Sequence, residues 1–224
     1  MPAIRFLIGR FGDAAIVAVG LALFVPIGVT RAQAAEDRCI AVSQAPGSGG
    51  VTIHLAGHVP AQFVPPKSAG TGIRITFVGH STFLIESRKG VKIATDYNDH
   101  VRPWEVPDIA TMNHAHSSHF TDTPDPRIAH VLRGWNPNGG PVHHDLTVGD
   151  VRVRNLPTNI RSFAMGGTEE FGNSIFIFEM GALCIAHLGH LHHTLSARQL
   201  GQIGHMDVVL APVDGSYTLD TPGM

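Results

Sequence analysis

Six consecutive residues, His114-Ala115-His116-Ser117-Ser118-His119, carry three imidazoles and two hydroxyls. Neutral imidazole is the commonest metal ligand in proteins. In an extended segment, side chains two apart point the same way, so His114 and His116 share a side and His119 reaches in from the following turn. That arrangement suits zinc. The alternative is a solvated histidine-rich loop, in a chain that has 15 histidines among its 224 residues. A second concentration, His187, His190, His192 and His193, lies in a glycine-containing loop further on. From it, His187 and His190 are the candidates to complete the metal ligands. Two carboxylates accompany them: Asp96, placed to orient an imidazole, and Asp214, a candidate base.

Strands must deliver these residues, because strand ends are where rigid elements present chemistry through loops. Ile73 to Ile85 reads as one β segment crossed by Gly79-His80, and Arg88-Lys89-Gly90 turns it into Val91 to Thr95, which ends in Asp96. Ile109 to Met112 is a short apolar strand leading straight to His114. Further strands are expected at Ile128 to Leu132, Asp145 to Val148, Val151 to Leu156, Ser174 to Phe178 and Leu183 to His187, with Gly149-Asp150 as a hairpin turn. Ser196-x-x-Gln199 has the form of a capping box opening a helix through about Ile203, and Asp207 to Ala211 is a last strand stopped by Pro212. Many short strands followed by a strand, helix, strand passage fit an α/β sandwich with the histidines along one edge of the paired sheets. His80 reads as a hydrogen-bonded histidine beneath the site, and His143, His144, His192 and His193 as loop or supporting residues. His54 and His58 read as exposed and non-ligating.

The chain is 43% hydrophobic and 15% charged, with a formal net charge of −2 and no run of Lys or Arg. It can bury one sizeable core and carries no electrostatic footprint for nucleic acid or an anionic membrane surface, which leaves a small molecule as the expected partner. Arg5 and Arg10 precede an apolar segment from Ala14 to Val29, and Ala32-Gln33-Ala34 supplies small residues at signal-peptidase spacing. Residues 1–34 are therefore expected to be a signal peptide, with no stable membrane insertion after cleavage, and the mature protein to be secreted or periplasmic. Residues 35–72, rich in Ala, Gly, Ser and Pro, read as an irregular arm before a domain over 73–224. Cys39 and Cys184 are the only cysteines. They can form one disulfide in an oxidising compartment, or remain thiols with Cys184 buried in its apolar run.

From Ile73 to Asp220 the sequence resembles the metallo-β-lactamase-fold hydrolases, in particular the branch of lactonases and phospholipase-D-like enzymes. Phe77-Val78-Gly79-His80-Ser81 is similar to that branch's opening GHA/GHS strand, and Ala94-Thr95-Asp96 to its strand ending in a site-supporting aspartate. His114 to His119 stands where the family has HxHxDH, Ile185 to His190 where it has a strand running into GD, and Val209 to Gly215 resembles the strand and turn that follow. Ser118 and His190 replace two family aspartates, Pro157-Thr158-Asn159 offers no histidine at the family's middle position, and the family's last histidine has no counterpart before Met224.

The resemblance implies an αββα sandwich of two mixed sheets flanked by helices, C-terminally incomplete against the family. It also implies a metal-activated water acting on a small ester, lactone, amide or phosphodiester. With the acidic ligands replaced, one zinc ion is expected rather than two. The alternatives are a non-catalytic metal-binding protein on the same fold and a truncated, inactive homologue.

Overall fold

A computed structural model of the protein describes residues 39–40, 54–56, 72–162, 167–212, 214 and 217–219. All of them fall within Ala35–Met224, the larger of the two units into which the chain divides. Two mixed sheets form the domain. The first contains β1 (His54–Ala56), β2 (Arg74–Gly79), β3 (Thr82–Glu86), β4 (Lys92–Ala94), β5 (Ile109–Met112) and β6 (His130–Arg133), in that spatial order. The second contains β7 (Asp145–Val148), β8 (Val151–Ser162), β9 (Gly167–Met180), β10 (Leu183–His187) and β11 (Val208–Leu210), in the order β11-β10-β9-β8-β7. Among the described residues one helix, α1 (Ala197–Ile203), accompanies them.

The apolar residues sort into three layers, which is why the chain makes a sandwich. Ile75, Ile85, Ile93 and Ile109 of the first sheet meet Val153, Phe176, Phe178 and Ile185 of the second in the central core. On the outer face of the second sheet, Ile175, Ile177 and Ala186 pack beneath Ile203 of α1. On the outer face of the first, Ala110 and Met112 are covered by Tyr97, Ile128 and Trp135 from loops. β5 and β10 are buried along their whole length, so both read as unbroken apolar runs rather than alternating ones.

Three expectations are corrected. Ile73 to Ile85 is not one segment: Gly79 (φ 152°) and His80 (φ 50°) reverse the chain, so β2 and β3 form an antiparallel hairpin with His80 and Ser81 at its tip. The arm over 35–72 contains β1, paired in parallel with β2, because Val51 to Leu55 is itself a β-prone run. His58 lies outside the described residues. Finally, β8 and β9 run well beyond the expected Val151 to Leu156 and Ser174 to Phe178. Pro157 sits inside β8, and it is tolerated because β7 pairs only with Val151 to Arg154 and leaves that edge of β8 open.

The hairpin at Gly149-Asp150 forms as its sequence indicates, with Val148 opposite Val151. So does the capping box: Ser196 Oγ accepts from the Gln199 backbone N–H while Gln199 reaches back to the Ser196 N–H. Of the two possibilities for the cysteines, the structure shows the disulfide, Cys39–Cys184, joining residues 145 apart in sequence. A cross-link over so long a loop restricts the unfolded chain strongly. Replacing Cys184 by Ala is expected to cost about 2–5 kcal/mol, read as a lowered urea midpoint with an unchanged slope.

Candidate metal centre

The residues of the site lie at or just beyond strand ends. His80 and Ser81 form the β2–β3 turn, Asp96 follows β4, His116 and His119 follow β5, His187 ends β10, and His190 follows it. β4 and β5 run parallel, as do β10 and β11, so the C-terminal ends of both pairs open on one edge of the sandwich. His80, His116 and His119 each offer a ligand atom, all within 4.8 Å of one another. His190 closes the group, its ring centroid 5.3 Å from that of His116 and 5.0 Å from that of His119.

Asp96 organises this cluster from behind. It is fully buried, with a left-handed backbone (φ 42°) that a non-glycine residue holds only when its surroundings fix it. Those surroundings are explicit: the Asn98 side-chain amide donates to the Asp96 carbonyl at 2.8 Å, and the Thr82 hydroxyl to the same oxygen at 3.1 Å. Asp96 Oδ1 accepts from Asn113 Nδ2 at 3.0 Å and Oδ2 accepts from His119 Nδ1 at 2.6 Å. Burial favours the neutral acid. The charges of His119 and His187, with the hydrogen bonds from His119 and Asn113, outweigh it and hold Asp96 below the usual carboxylate range. An ionised Asp96 keeps the proton of His119 on Nδ1, which leaves Nε2 with a lone pair facing the cluster.

The cluster fits a metal ion by its own dimensions. His119 Nε2 lies 3.3 Å from His80 Nε2. Two nitrogens at zinc-ligand distance in a tetrahedral site are about 3.3 Å apart, which follows from a Zn–N bond of about 2.05 Å. Like His119, His116 has its Nδ1 engaged, here 2.7 Å from Ser118 Oγ. The hydroxyl that stands in the position of a family aspartate therefore steers an imidazole.

Burial, and then the neighbouring His119, push the pKa values of His80, His116 and His190 down, that of His190 to about 4. These rings are neutral at pH 7 and available as ligands. The same shift makes the metal-free protein acid-sensitive. An unfolded histidine titrates near 6.5 and folded His190 near 4, so the unfolded chain binds more protons between those values and stability falls as pH drops through them. Thermal midpoints of the metal-free protein at pH 7.0, about 5.5 and about 4.5 are expected to decline, and His190→Asn to decline less steeply.

The remaining candidates divide between this cavity and other places. His114 turns away: its Nδ1 lies 2.9 Å from Glu169 Oε1 and its ring stacks on Trp135, centroids 5.1 Å apart. It lines a second cavity of about 710 Å³ with Phe120, Arg133 and Glu169. His187 is buried at the end of β10, lines the cavity over the histidines and is hydrogen-bonded to the backbone of Ser81. Asp214 lines the cavity over the histidines, and its Oδ1 accepts from the backbone N–H groups of Tyr217 and Thr218. His144 Nε2 bonds the Arg133 carbonyl, and His192 and His193 bond the backbone around Asn159 and Thr194, all away from the cluster.

Sequence reasoning gave His80 a supporting place and did not single out Asn98 or Asn113. The signal for His80 is Gly79-His80-Ser81 read as a turn, and for the asparagines their position one or two residues from Asp96 and His114. Gly189 (φ 60°) is required between Asn113 and Asn173: a Cβ there would collide with Asn113 Nδ2 and Asn173 Oδ1.

Residues 74–224 match the family described as the beta-lactamase superfamily domain. A metal-dependent hydrolase of Carboxydothermus hydrogenoformans is 26% identical over 171 residues, covering 66% of this chain and 75% of the relative. Another from Methanosphaerula palustris is 23% identical, covering 66% and 74%. Among solved structures, a metallo-β-lactamase-superfamily protein of Thermotoga maritima is 27% identical with a TM-score of 0.48, covering 67% of this chain and 66% of its own. A Parabacteroides distasonis protein shares the fold at 13% identity and a TM-score of 0.51, covering 66% and 73%. With its paired mixed sheets, its histidines gathered at their common edge and this match over residues 74–224, the chain belongs to the metallo-β-lactamase superfamily.

Proposed function

We propose that the protein is an exported, zinc-dependent hydrolase that directs water onto a small ester, lactone, amide or phosphodiester. The observation that carries this reading is the convergence of His80, His116 and His119, with two Nε2 atoms at a tetrahedral-edge distance and a buried Asp96 behind one of them. The superfamily and the metal-dependent hydrolases among its matched members support it.

His80, His116 and His119 would hold the ion, with His190 as the fourth imidazole and the more favourable count one ion, since the cluster itself contains no carboxylate. A bound zinc ion supplies Lewis acidity towards the substrate oxygen and lowers the pKa of water. The chain's own residues do the rest. Asp96 retains the Nδ1 proton of His119 and so fixes that ring's tautomer and direction. Ser118 fixes the ring of His116. Asp214, on the cavity wall, accepts the proton released from the attacking water and passes it to the leaving group.

Export is supported by the charged, then apolar, then small-residue order of the first 34 residues, and by a disulfide of the kind that persists in oxidising compartments. Zinc-loaded protein is expected to hydrolyse an activated ester or phosphodiester, to lose that turnover on dialysis against chelator, and to regain it on adding zinc. Metal binding without any turnover would instead favour a metal-binding protein on the same fold.

A further inference from the structure

We infer that Asn173 is a positioning residue of the metal centre: from within β9 it fixes His190 as the fourth imidazole, at a set distance from His119. The inference rests on the metal-dependent reading of the site and deepens it. Asparagine is disfavoured in strands, yet Asn173 lies fully buried in β9, just ahead of the apolar run from Ile175 to Met180. A buried strand position that goes against local preference points to a role at the site.

Both functions of its amide are engaged. Oδ1 accepts from the His190 backbone N–H at 2.8 Å, while Nδ2 donates to Thr158 Oγ1 at 2.7 Å and to the Leu188 carbonyl at 3.1 Å. Thr158 stands opposite Asn173 in β8, so the amide is anchored on its own sheet and grips both ends of the turn Leu188-Gly189-His190. That turn has already left β10, and Gly189 holds it in a left-handed conformation (φ 60°). Without the amide, the His190 N–H and the Leu188 carbonyl lose the bonds that set the direction of the turn.

His119 and His190 follow strands of different sheets, β5 and β10. The apolar packing that joins the sheets is non-directional, so the spacing of the two rings has to be set by directional bonds. The neighbours of Asn173 supply them. The Ser174 N–H donates to Asn113 Oδ1 at 2.7 Å, and the Gly172 carbonyl accepts from the His114 N–H at 2.9 Å. Asn113 in turn donates from Nδ2 at 3.0 Å to Asp96, the carboxylate behind His119. Gly172, Asn173 and Ser174 of β9 thus hold the ligand loops of both sheets, and the 5.0 Å between the His119 and His190 ring centroids is bridged by two buried amides. A metal site needs its ligands held to within about 0.5 Å, which such a frame provides.

The test is a double-mutant cycle read by zinc affinity, which needs no turnover. Wild type, Asn173→Leu, His190→Ala and the double variant are titrated with zinc against a chromogenic chelator, and urea midpoints establish that each is folded. Asn173→Leu keeps the size of the side chain and removes the acceptor for the His190 N–H; Asn173→Ala takes its place in the cycle should Asn173→Leu not fold. Because Asn173 acts through His190, its replacement is expected to weaken zinc binding about 10–100-fold in the wild-type background. With His190 already alanine, the same replacement is expected to change affinity by less than about twofold. A role in the fold alone would weaken binding equally in both backgrounds. Equal losses, or wild-type affinity in either Asn173→Leu or His190→Ala, would overturn the inference and leave the metal centre standing. A folded wild type that binds no zinc would overturn both.

Discussion

Asp96→Asn is expected to lower zinc affinity by about 10–100-fold while the protein keeps its fold. The carboxylate touches no point at which an ion would sit; it acts through His119, whose Nδ1 proton it accepts at 2.6 Å. An amide of the same shape keeps the packing and can still receive the bond from Asn113, but it removes the negative charge. It can also present its NH2 group to His119, which moves that ring's proton to Nε2 and takes a lone pair away from the cluster. Competitive titration against a chromogenic chelator measures the change, and the urea midpoint separates it from unfolding. A variant that binds zinc as tightly as the wild type would show that Asp96 serves the fold alone.

The second large effect lies under α1. Arg154 is nearly buried, and its guanidinium donates from Nε to Glu179 Oε1 at 2.8 Å, from Nη1 to the Gln202 carbonyl at 2.9 Å and from Nη2 to the Ile203 carbonyl at 2.6 Å. One side chain thus satisfies the last carbonyls of the helix, where a positive charge is favoured, and neutralises a buried carboxylate. Arg154→Ala leaves Glu179 charged and unpaired in the core apart from the more distant Arg152 at 3.5 Å. A loss of about 3–5 kcal/mol is expected, measured by urea unfolding. Arg154→Ala/Glu179→Ala is expected to recover part of it, because the stranded charge goes too. The consequence reaches the site, since α1 leads into β11 and β11 carries Leu210 to the cavity wall.

Much of this molecule is written locally. β5 and β10 are apolar runs that end at histidines, Gly149-Asp150 makes its hairpin, and Ser196 with Gln199 caps α1, all from contacts within a few residues. The membership of the histidine cluster is not local. Spacing groups His114 with His116 and His119, yet Glu169, 55 residues further along in β9, draws the His114 ring against Trp135. The place beside His116 and His119 is taken by His80, whose direction depends on a left-handed turn inside what reads as one strand. The disulfide is of the same kind, because its two cysteines are brought together only when the Cys39 segment lies beside β10 and the loop after α1, where the Cys39 carbonyl accepts from His205 N–H. In each case a partner distant in sequence decides between conformations that the local residues permit equally.

Whether a metal ion belongs between His80, His116 and His119 is decided by elemental analysis of the protein purified without chelator, beside His116→Ala/His119→Ala and His80→Ala. About one zinc per chain is expected in the wild type, none in the double variant and a reduced amount in His80→Ala. A wild type that unfolds cooperatively and carries no metal, or a double variant that retains it, would show that these histidines do not hold an ion.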